Sequence, residues 1–237
     1  MKILVAGGTG GIGQALIAEI LQEIPDAEVH ATFFRSVPDI NLQDDSVHWH
    51  PSDLTDAESV KKLSDLVGPV DWVINAVGML HTLTQMPEKS ITQVNPEFFL
   101  KTVEANVLPT LLLARYFMDA FKGSDSARFV ALSARVGSIS DNRLGGWYSY
   151  RASKAALNMI LKTLSIEWQR KLPKGCVVAI HPGTVDTRLS EPFQKNVPSD
   201  KLFSPRVSAG QILHVIRRLN PDQSGQFLAF DGSVIDW

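Results

Sequence analysis

A tyrosine and a lysine four residues apart are the first side chains in this sequence whose types and spacing suggest chemistry. Tyr150 and Lys154 lie in a stretch that reads Trp-Tyr-Ser-Tyr-Arg-Ala-Ser-Lys. If this stretch opens a helix, the two side chains lie on one face, one turn apart. A nearby ammonium favours the phenolate and lowers the pKa of the phenol from its ordinary value of about 10. Tyr150 can then exchange a proton with an alcohol or carbonyl oxygen near neutral pH.

Helices often show this spacing by chance, so the pair taken alone is better explained as a solvent-exposed helix face. The elements around the pair decide between the two interpretations. Apolar residues from Ile3 to Ala6 predict a buried parallel strand, and helical spacing from Ile12 predicts a helix that Pro25 ends. Strand, glycine turn and helix therefore follow one another at the start of the chain.

The turn between that strand and helix reads Gly-Gly-Thr-Gly-Gly-Ile-Gly from residue 7 to residue 13. Glycines permit a tight turn and the close approach of a pyrophosphate, and the first amides of the helix offer unpaired donors. The pattern predicts a dinucleotide site; the alternative is a turn that needs glycine only for its shape. The residues expected to contact the cofactor here are Gly7, Thr9, Gly11, Ile12 and Gly13.

A second predicted strand, from Glu28 to Phe33, ends where a dinucleotide fold meets the adenosine ribose. In NAD-binding proteins an acidic residue there holds the ribose 2′-hydroxyl. This sequence has Arg35 and no carboxylate from Thr32 to Ser36. A guanidinium can pair with a 2′-phosphate, which favours NADP(H) over NAD(H). The alternative for Arg35 is a solvated loop cation.

Predicted strands three and four, from Val47 to His50 and from Asp71 to Ala76, also end in candidate cofactor residues. An aspartate can accept a hydrogen bond from an adenine amino group, a glycine permits close backbone approach, and an asparagine can bond neighbouring backbone. The residues concerned are Asp53, Leu54, Asn75, Ala76, Val77 and Gly78. Two histidines alternate on strand three, His48 and His50, and the sequence shows no ligand companions for them, so no metal site is predicted.

The second half of the chain continues the alternation of helices and strands. A long helix from Glu97 to Phe121 contains Asn106, whose carboxamide can hold a water in a proton path or make an ordinary polar contact. A fifth strand spans Arg128 to Ser133, and a polar loop leads from it to the Tyr150 helix, which runs to about Arg170.

A Pro-Gly turn follows the sixth predicted strand, from Cys176 to Ile180, and can present backbone amides and a hydroxyl to a carboxamide. The segment from Arg188 to Pro205 contains three prolines and is interpreted as a lid over substrate or a plain surface loop. A last helix from Ser208 to Leu219 and a last strand from Phe227 to Phe230 complete the pattern. The cofactor residues expected at the turn are Pro182, Gly183, Val185 and Thr187.

This alternation from residue 1 to residue 237 predicts one α/β domain of the Rossmann type. The expected architecture is a doubly wound, mostly parallel sheet of seven strands with helices on both faces. Ligands bind such sheets at the carboxyl ends of the strands. The glycine turn, Asn75, Ser133, Pro182 and the start of the Tyr150 helix all fall at that edge.

Composition limits the classes of function. The chain of 237 residues is 44% hydrophobic and 20% charged, with a net charge of −2 and no basic run, so a nucleic-acid or anionic-membrane partner has no support. The first apolar run is too short for a signal peptide, and the stretch from Val107 to Met118 falls short of a membrane span. The single Cys176 excludes an intramolecular disulfide and fits a reducing cytoplasm.

All these motifs in this order resemble the short-chain dehydrogenase/reductase family over nearly the full chain. The stretch from Ser133 to Asn158 is most similar to the C-factor-like and sniffer-type carbonyl reductases. The motifs that carry the resemblance are Gly7-x-x-x-Gly11-Ile12-Gly13, Asp53, Asn75-Ala76-Val77-Gly78, Asn106, Tyr150-x-x-x-Lys154 and Pro182-Gly183-x-x-x-Thr187.

The resemblance implies a proton relay from Tyr150 through Lys154, the cofactor ribose and a water at Asn106. Lys154 is expected to bind the nicotinamide ribose as well. The resemblance also implies a serine that orients the substrate oxygen, and assembly into a homodimer or homotetramer through the long helices.

The end of the fifth strand departs from the family pattern. Relatives usually have Ser-Ser there, with the second serine facing the substrate, whereas this chain has Ser133 followed by Ala134. Adjacent strand residues point to opposite sides, so Ser133 takes the role only if the strand end rotates. Ser138 is the second candidate.

The sequence therefore predicts an NADP(H)-preferring oxidoreductase that moves a hydride between nicotinamide and a carbonyl or secondary alcohol. Its expected catalytic residues are Asn106, Ser133, Tyr150 and Lys154. The alternative is a nucleotide-binding signalling or regulatory protein without turnover, which the C-factor resemblance and Ala134 favour and the retained tyrosine, lysine and asparagine oppose. The substrate stays open, because residues 79–96 and 188–205 contain no motif.

Overall fold

The computed structural model describes residues 1–38 and 46–237. Over these residues seven strands form one parallel sheet in the order β3-β2-β1-β4-β5-β6-β9, and β7 and β8 pair separately. The predicted seven-stranded parallel sheet is confirmed. The strands are β1 Lys2–Ala6, β2 Glu28–Phe33, β3 Val47–Pro51, β4 Trp72–Asn75, β5 Arg128–Leu132, β6 Cys176–His181, β7 Thr184–Val185, β8 Leu202–Phe203 and β9 Phe227–Ala229.

The strand order reverses between β1 and β4. The chain runs outward from β1 through β2 to β3 and then returns to add β4 on the other side of β1. At such a reversal the connections leave the sheet in opposite directions, so a crevice opens at the carboxyl ends of the two strands. The glycine turn that follows β1 lies at this crevice.

Helices cover both faces of the sheet. They are α1 Gly11–Glu23, α2 Ala57–Val67, α3 Pro96–Phe117, α4 Tyr148–Lys171 and α5 Pro205–Arg218. Within residues 1–38 and 46–237, none of these helices combines the length and apolarity that a membrane crossing requires.

Two helix boundaries differ from the prediction. The predicted helix to Phe121 ends its α-helical part at Phe117 and continues as a separate 3-10 turn, Asp119–Phe121. α5 begins three residues earlier than predicted, because the Ser204 side chain accepts a hydrogen bond from the Val207 amide and proline occupies the first helical position.

Each face of the sheet has its own apolar core, because strand residues alternate between the faces. On β1, Ile3 and Val5 belong to the core shared with α1 and α5, whereas Leu4 and Ala6 belong to the core shared with α2, α3 and α4. Strands buried on both faces explain the continuous apolar runs in the sequence.

Trp168 anchors the carboxyl half of α4 on the sheet. Its buried ring packs edge-on against Phe121 at 4.8 Å and against Phe129 of β5 at 6.3 Å between ring centroids. Aromatic pairs in this geometry add to the free energy of burial. With this half held against β5, the first turns of α4 lie beside the carboxyl ends of β5 and β6.

Candidate active site

A cavity of about 510 Å³ lies at the carboxyl ends of β1, β2 and β4. The glycine turn forms one wall, and the segments after β2, β3 and β4 form the others. The residues of the sequence-predicted cofactor set that line it are Gly7, Thr9, Arg35, Asp53, Leu54, Ala76, Val77 and Gly78.

The glycine turn has the geometry of an anion cradle. Gly7 has φ +78°, and a Cβ on Gly13 would collide with the Gly7 carbonyl oxygen, so neither position accepts a side chain without strain. The Thr32 hydroxyl oxygen accepts the Gly7 amide at 2.9 Å and fixes the turn against β2. No side chain caps the first turn of α1 at Gly10, and that turn carries no acidic residue. Its amides and positive dipole end therefore fit a diphosphate.

Two side chains that the sequence predicted to contact the adenosine part of a cofactor lie at the first cavity. Arg35 follows β2 and lines the cavity, with its guanidinium 5.3 Å from the ring centroid of Phe34. Asp53 follows β3, and its Oδ1 accepts the amide and hydroxyl of Thr55 at 2.9 and 2.6 Å. These bonds hold the carboxylate at the cavity wall.

A second cavity of about 370 Å³ opens beside the first turn of α4. Its walls come from the ends of β5 and β6, from the Pro-Gly turn and from residues 188–197. The predicted residues that line it are Ile12, Ser133, Tyr150, Pro182, Gly183, Val185 and Thr187. A Cβ on Gly11 would lie 2.7 Å from Thr187 Cγ2, so the glycine turn directly contacts this second group of residues.

Tyr150 and Lys154 are both buried, which excludes the solvent-exposed helix face. Lys154 Nζ lies 5.8 Å from the Tyr150 ring centroid and donates a hydrogen bond to the Leu132 carbonyl at 2.9 Å. A Cβ on Gly78 would lie 3.5 Å from that Nζ and 3.6 Å from Asn106 Oδ1. The fold thus brings the predicted tyrosine, lysine, asparagine and Gly78 together.

Burial controls the protonation of this pair. Burial raises the pKa of Tyr150 and lowers the pKa of Lys154 to about 8. The expectation that the ammonium lowers the phenol pKa was wrong for the protein alone. Both charged forms lose hydration on burial, which disfavours the phenolate and the ammonium alike.

Asn106 makes three hydrogen bonds in the interior. Its Nδ2 donates to the Met79 carbonyl at 2.8 Å and to Ser153 Oγ at 2.9 Å, and its Oδ1 accepts the Met79 amide at 2.6 Å. The sequence allowed Asn106 either to hold a water or to make an ordinary polar contact, and the structure shows the polar contact. Asn75 acts in a similar way, because it bonds the Val77 amide and Thr110 of α3.

The two candidate serines donate their protons within the protein. Ser133 Oγ donates to Asn158 Oδ1 of α4 at 2.6 Å, and Ser138 Oγ donates to the Asp236 carbonyl at 2.5 Å. Ser133 faces α4, as strand alternation requires, and lines the second cavity together with Ala134. Ser138 is not among the residues that line that cavity.

Sequence reasoning missed several residues of the second cavity. Trp147 adopts the left-handed conformation at φ 52°, and its ring packs against Phe193 at 4.9 Å and Tyr150 at 6.2 Å. His181 ends β6, and burial lowers its pKa to about 4, so its ring is neutral at physiological pH. In the sequence, the one sign that Trp147 and His181 belong to the site is that each lies next to a motif.

Two polar atoms near Ser133 have no hydrogen-bond partner in the part of the chain that the structure describes. They are Asn158 Nδ2 and His181 Nδ1, and both are buried. The parallel register pairs Leu132 with Ile180, so His181 lies beside Ser133 on the neighbouring strand. Uncommitted buried polar atoms at a cavity indicate a place where a ligand can bond.

Several characterised and solved proteins are similar to most or all of this chain. The C-signal protein of Myxococcus xanthus is 30% identical over 171 residues, covering 72% of this chain and 94% of that protein. The 1-hydroxy-2-glutathionyl-2-methyl-3-butene dehydrogenase of Rhodococcus sp. strain AD45 is 27% identical over 239 residues, with 99% of each chain covered. The carbonyl reductase Sniffer of D. melanogaster superposes with a TM-score of 0.86 at 25% identity, over 100% of this chain and 99% of that one.

The buried lysine makes stability depend on pH. The folded protein releases the Lys154 proton near pH 8, whereas the unfolded chain holds it to about pH 10.5. Between these values the unfolded state binds more protons, so this group makes the free energy of unfolding rise with pH. Urea unfolding from pH 7 to pH 10 should show the wild type gaining stability relative to Lys154→Met above pH 8. A difference that stays flat across this range would contradict the assignment.

Residues 1–198 match the family described as short chain dehydrogenase. The matched segment includes the glycine turn, Asn106, Tyr150, Lys154 and the Pro-Gly turn. The chain therefore belongs to the short-chain dehydrogenase family and is an NAD(P)-dependent dehydrogenase or reductase.

Proposed function

We propose that this protein is an NADP(H)-preferring oxidoreductase that transfers a hydride between nicotinamide and a carbonyl or secondary alcohol carbon. The observation that carries the proposal is the burial of Lys154 beside Tyr150, which lines the second cavity. The similarity to the Sniffer carbonyl reductase supports the reaction type. A solved carbonyl reductase from chicken fatty liver, described as NADPH-bound, shares the fold with a TM-score of 0.86 at 24% identity over 100% of this chain and 94% of that one.

The first cavity would hold the cofactor, which supplies the hydride. The glycine turn and the α1 amides would bind the diphosphate, and Arg35 would pair with the 2′-phosphate. Asp53 would accept the adenine amino group, and Lys154 would donate to the nicotinamide ribose. The Pro-Gly turn would offer amides to the carboxamide.

Tyr150 would donate its proton to the carbonyl oxygen during reduction and recover it during oxidation. Its raised pKa keeps the phenol protonated at neutral pH, which supports the role of general acid. Lys154 would stabilise the phenolate once the proton has left, and Asn106 would hold the water of the relay. The Asn106 oxygen and amino group already bond Met79 and Ser153. The water would therefore form an additional hydrogen bond to a carboxamide that already has protein partners.

Ser133 would orient the carbonyl oxygen through a change at Asn158. The Ser133 hydroxyl now donates its hydrogen bond to Asn158 Oδ1, while Asn158 Nδ2 has no partner among the described residues. A half-turn of the carboxamide lets Nδ2 donate to Ser133 Oγ and frees the serine proton for the cavity. Ala134 provides no hydroxyl of its own.

The lining of the second cavity supports an apolar carbonyl compound as substrate. Arg135 is the one charged side chain among its described lining residues. Burial of hydrocarbon against apolar walls favours binding, and a few polar groups orient the reacting oxygen. The apolar and aromatic lining comprises Ile12, Leu80, Val136, Trp147, Leu189, Phe193 and Val197.

A second candidate function is nucleotide binding without turnover, in a signalling or regulatory role. The similarity to the C-signal protein favours this function. So does the Ser133 hydroxyl, because it donates to Asn158 and not into the second cavity. This function predicts that the first cavity binds NADPH while the second supports no hydride transfer.

NADPH oxidation over a broad panel of aldehydes and ketones distinguishes the two functions. We expect turnover by the wild type and a loss of about 100-fold or more in kcat for Tyr150→Phe, since positioned acid catalysis contributes about 10² to 10⁴-fold. Tyr148→Phe is the matched control, because this tyrosine is exposed on the same turn. Tight NADPH binding with no oxidation of any compound would favour the non-catalytic role.

Cofactor preference tests Arg35. Titration with NADPH and NADH should show tighter binding of NADPH, and Arg35→Ala should remove most of that preference. A hydrogen bond to a charged group contributes about 1.5–3 kcal/mol, or roughly 10- to 150-fold in affinity. Arg143→Ala, at an exposed loop position outside the first cavity, is the control. Equal binding of the two cofactors by the wild type would contradict the phosphate-site assignment.

Assembly through α3 and α4 would bury apolar side chains that the single chain exposes. Leu100 and Leu111 on α3 and Met159 and Ile166 on α4 are all exposed. Such patches mark interaction surfaces, and we propose a homodimer or homotetramer built on them. Light scattering should give a multiple of the chain mass for the wild type and a smaller mass for Met159→Glu. Leu144→Glu, on a loop, should leave the mass unchanged.

The remaining assignments concern partners and compartment. A net charge of −2 and the absence of a basic run in the sequence support a small-molecule substrate and neither a nucleic-acid nor a membrane partner. The free, buried Cys176 supports placement in a reducing cytoplasm. Fractionation of the source cells with an antibody to the protein would test this placement.

A further inference from the structure

A cluster of imidazoles lies on β2 and β3, outside both cavities. His30 of β2 pairs in register with His48 of β3, and Glu28 lies two residues before His30 on the same face of the sheet. The sequence predicted no metal site because the two histidines of β3 had no companions nearby. Parallel pairing supplies those companions from β2.

The three side chains converge on one point. Glu28 Oε1 lies 2.9 Å from His30 Nε2 and 3.9 Å from His48 Nε2, and one ligand atom from each residue lies within 4.8 Å of the others. Ligand atoms around a tetrahedral zinc ion are about 3.3 Å apart, given metal–ligand bonds of about 2.0–2.1 Å. Glu28 is 45% exposed and His48 50% exposed, so both can move the short distance required.

An outer hydrogen bond orients the buried member of the cluster. His30 is 5% exposed, and its Nδ1 lies 2.8 Å from His50 Nε2. Without an ion, Nε2 donates to the Glu28 carboxylate, which can only accept. Ion binding requires the other tautomer, in which Nδ1 donates to His50 and Nε2 presents its lone pair to the point where Glu28 and His48 meet. Metal-binding histidines almost always have such an outer partner, which fixes their tautomer.

We propose that Glu28, His30 and His48 bind a divalent zinc ion, with water at the fourth position. Two imidazoles and one carboxylate match the ligand preferences of zinc. The ion would join β2 to β3 at the edge of the sheet. Lys2 opposes it, because its ammonium lies 3.1 Å from Glu28 Oε1 and must leave that oxygen when the ion binds.

Calorimetric titration of the untagged, chelator-treated protein with zinc chloride tests this site. We expect one equivalent to bind, His48→Ala to weaken binding at least about tenfold, and Lys2→Gln to strengthen it. His50→Gln should weaken binding about 10- to 100-fold through the outer hydrogen bond. His214→Ala, at an exposed position on α5, should have no effect. Absence of binding, or equal binding by His48→Ala, would overturn the proposal.

A second observation concerns Glu88, in a segment to which the sequence assigned no chemistry. Its side chain is 1% exposed. Its Oε2 accepts the Ser149 amide at 3.1 Å, its Oε1 accepts the Ser149 hydroxyl, and its backbone carbonyl accepts the Trp147 amide at 2.5 Å. All three bonds hold the start of α4, directly before Tyr150.

This anchor replaces an ordinary helix cap. Trp147 occupies the N-cap position in the left-handed conformation and provides no side-chain cap. A carboxylate at this end satisfies an otherwise unpaired amide and complements the helix dipole. The same contact holds Trp147 where its ring packs on Phe193, so Glu88 links three segments around the second cavity.

We infer that Glu88 is a positioning residue for Tyr150, an inference that rests on the proposed oxidoreductase function. Replacing the carboxylate by a carboxamide leaves one acceptor oxygen for the Ser149 amide and hydroxyl, and puts an amino group opposite one of these two donors. The first turn of α4 should then lose its anchor, and the phenol should lose its alignment with the carbonyl oxygen. Cofactor binding in the first cavity should be unaffected.

Hydrogen exchange and turnover of Glu88→Gln test this inference together. For Glu88→Gln we expect faster amide exchange in residues 148–152, about tenfold lower kcat and unchanged NADPH affinity. The double variant Glu88→Gln, Ser149→Ala should lose less kcat than the product of the two single losses. Glu97→Gln, at the exposed start of α3, is the control.

Unchanged exchange in Glu88→Gln would overturn the anchor. Faster exchange with wild-type kcat would overturn the positioning role. A wild type that binds NADPH but turns over no carbonyl would contradict the proposed function instead, and exchange would still decide whether Glu88 anchors the helix.

Discussion

The hydrogen bond from Lys154 Nζ to the Leu132 carbonyl is the contact on which the site depends. It joins the second turn of α4 to the carboxyl end of β5. An ammonium buried without a partner would be very costly, so helix and strand keep this alignment. Tyr150, one turn earlier, takes its position from the same bond, from Glu88 and from the packing of Trp168 further along the helix.

The end of β4 shows how satisfying the backbone prepares a cavity. Where a strand stops, its neighbouring amides and carbonyls need other partners. Asn75 bonds the Val77 amide, and Asn106 bonds both backbone groups of Met79, so three backbone groups beyond the strand have side-chain partners. These two side chains keep Gly78 close to Lys154, which leaves open space on the cofactor side.

Much of the lining of the first cavity could be predicted from the sequence because its signals are local. Glycines at fixed spacing after an apolar strand define a turn whatever surrounds it, and Arg35 and Asp53 were located by counting from strand ends. The walls of the second cavity could not be predicted in this way. Phe193 contacts Trp147 from more than 40 residues away in the sequence, and Glu88 bonds Ser149 from more than 60 residues away. Neither Phe193 nor Glu88 lies in a motif.

The sequence by itself determined the order of strands and helices and the residues at the strand ends, because periodicity, glycine and proline act over a few neighbouring residues. Only the tertiary structure decided which side chains meet and in which charge state. Burial reversed the expected direction of the Tyr150 pKa, α4 engaged the Ser133 hydroxyl through Asn158, and strand register placed His30 beside His48. Each outcome depends on solvent exclusion or on pairing between distant segments, which arise only when the chain is folded.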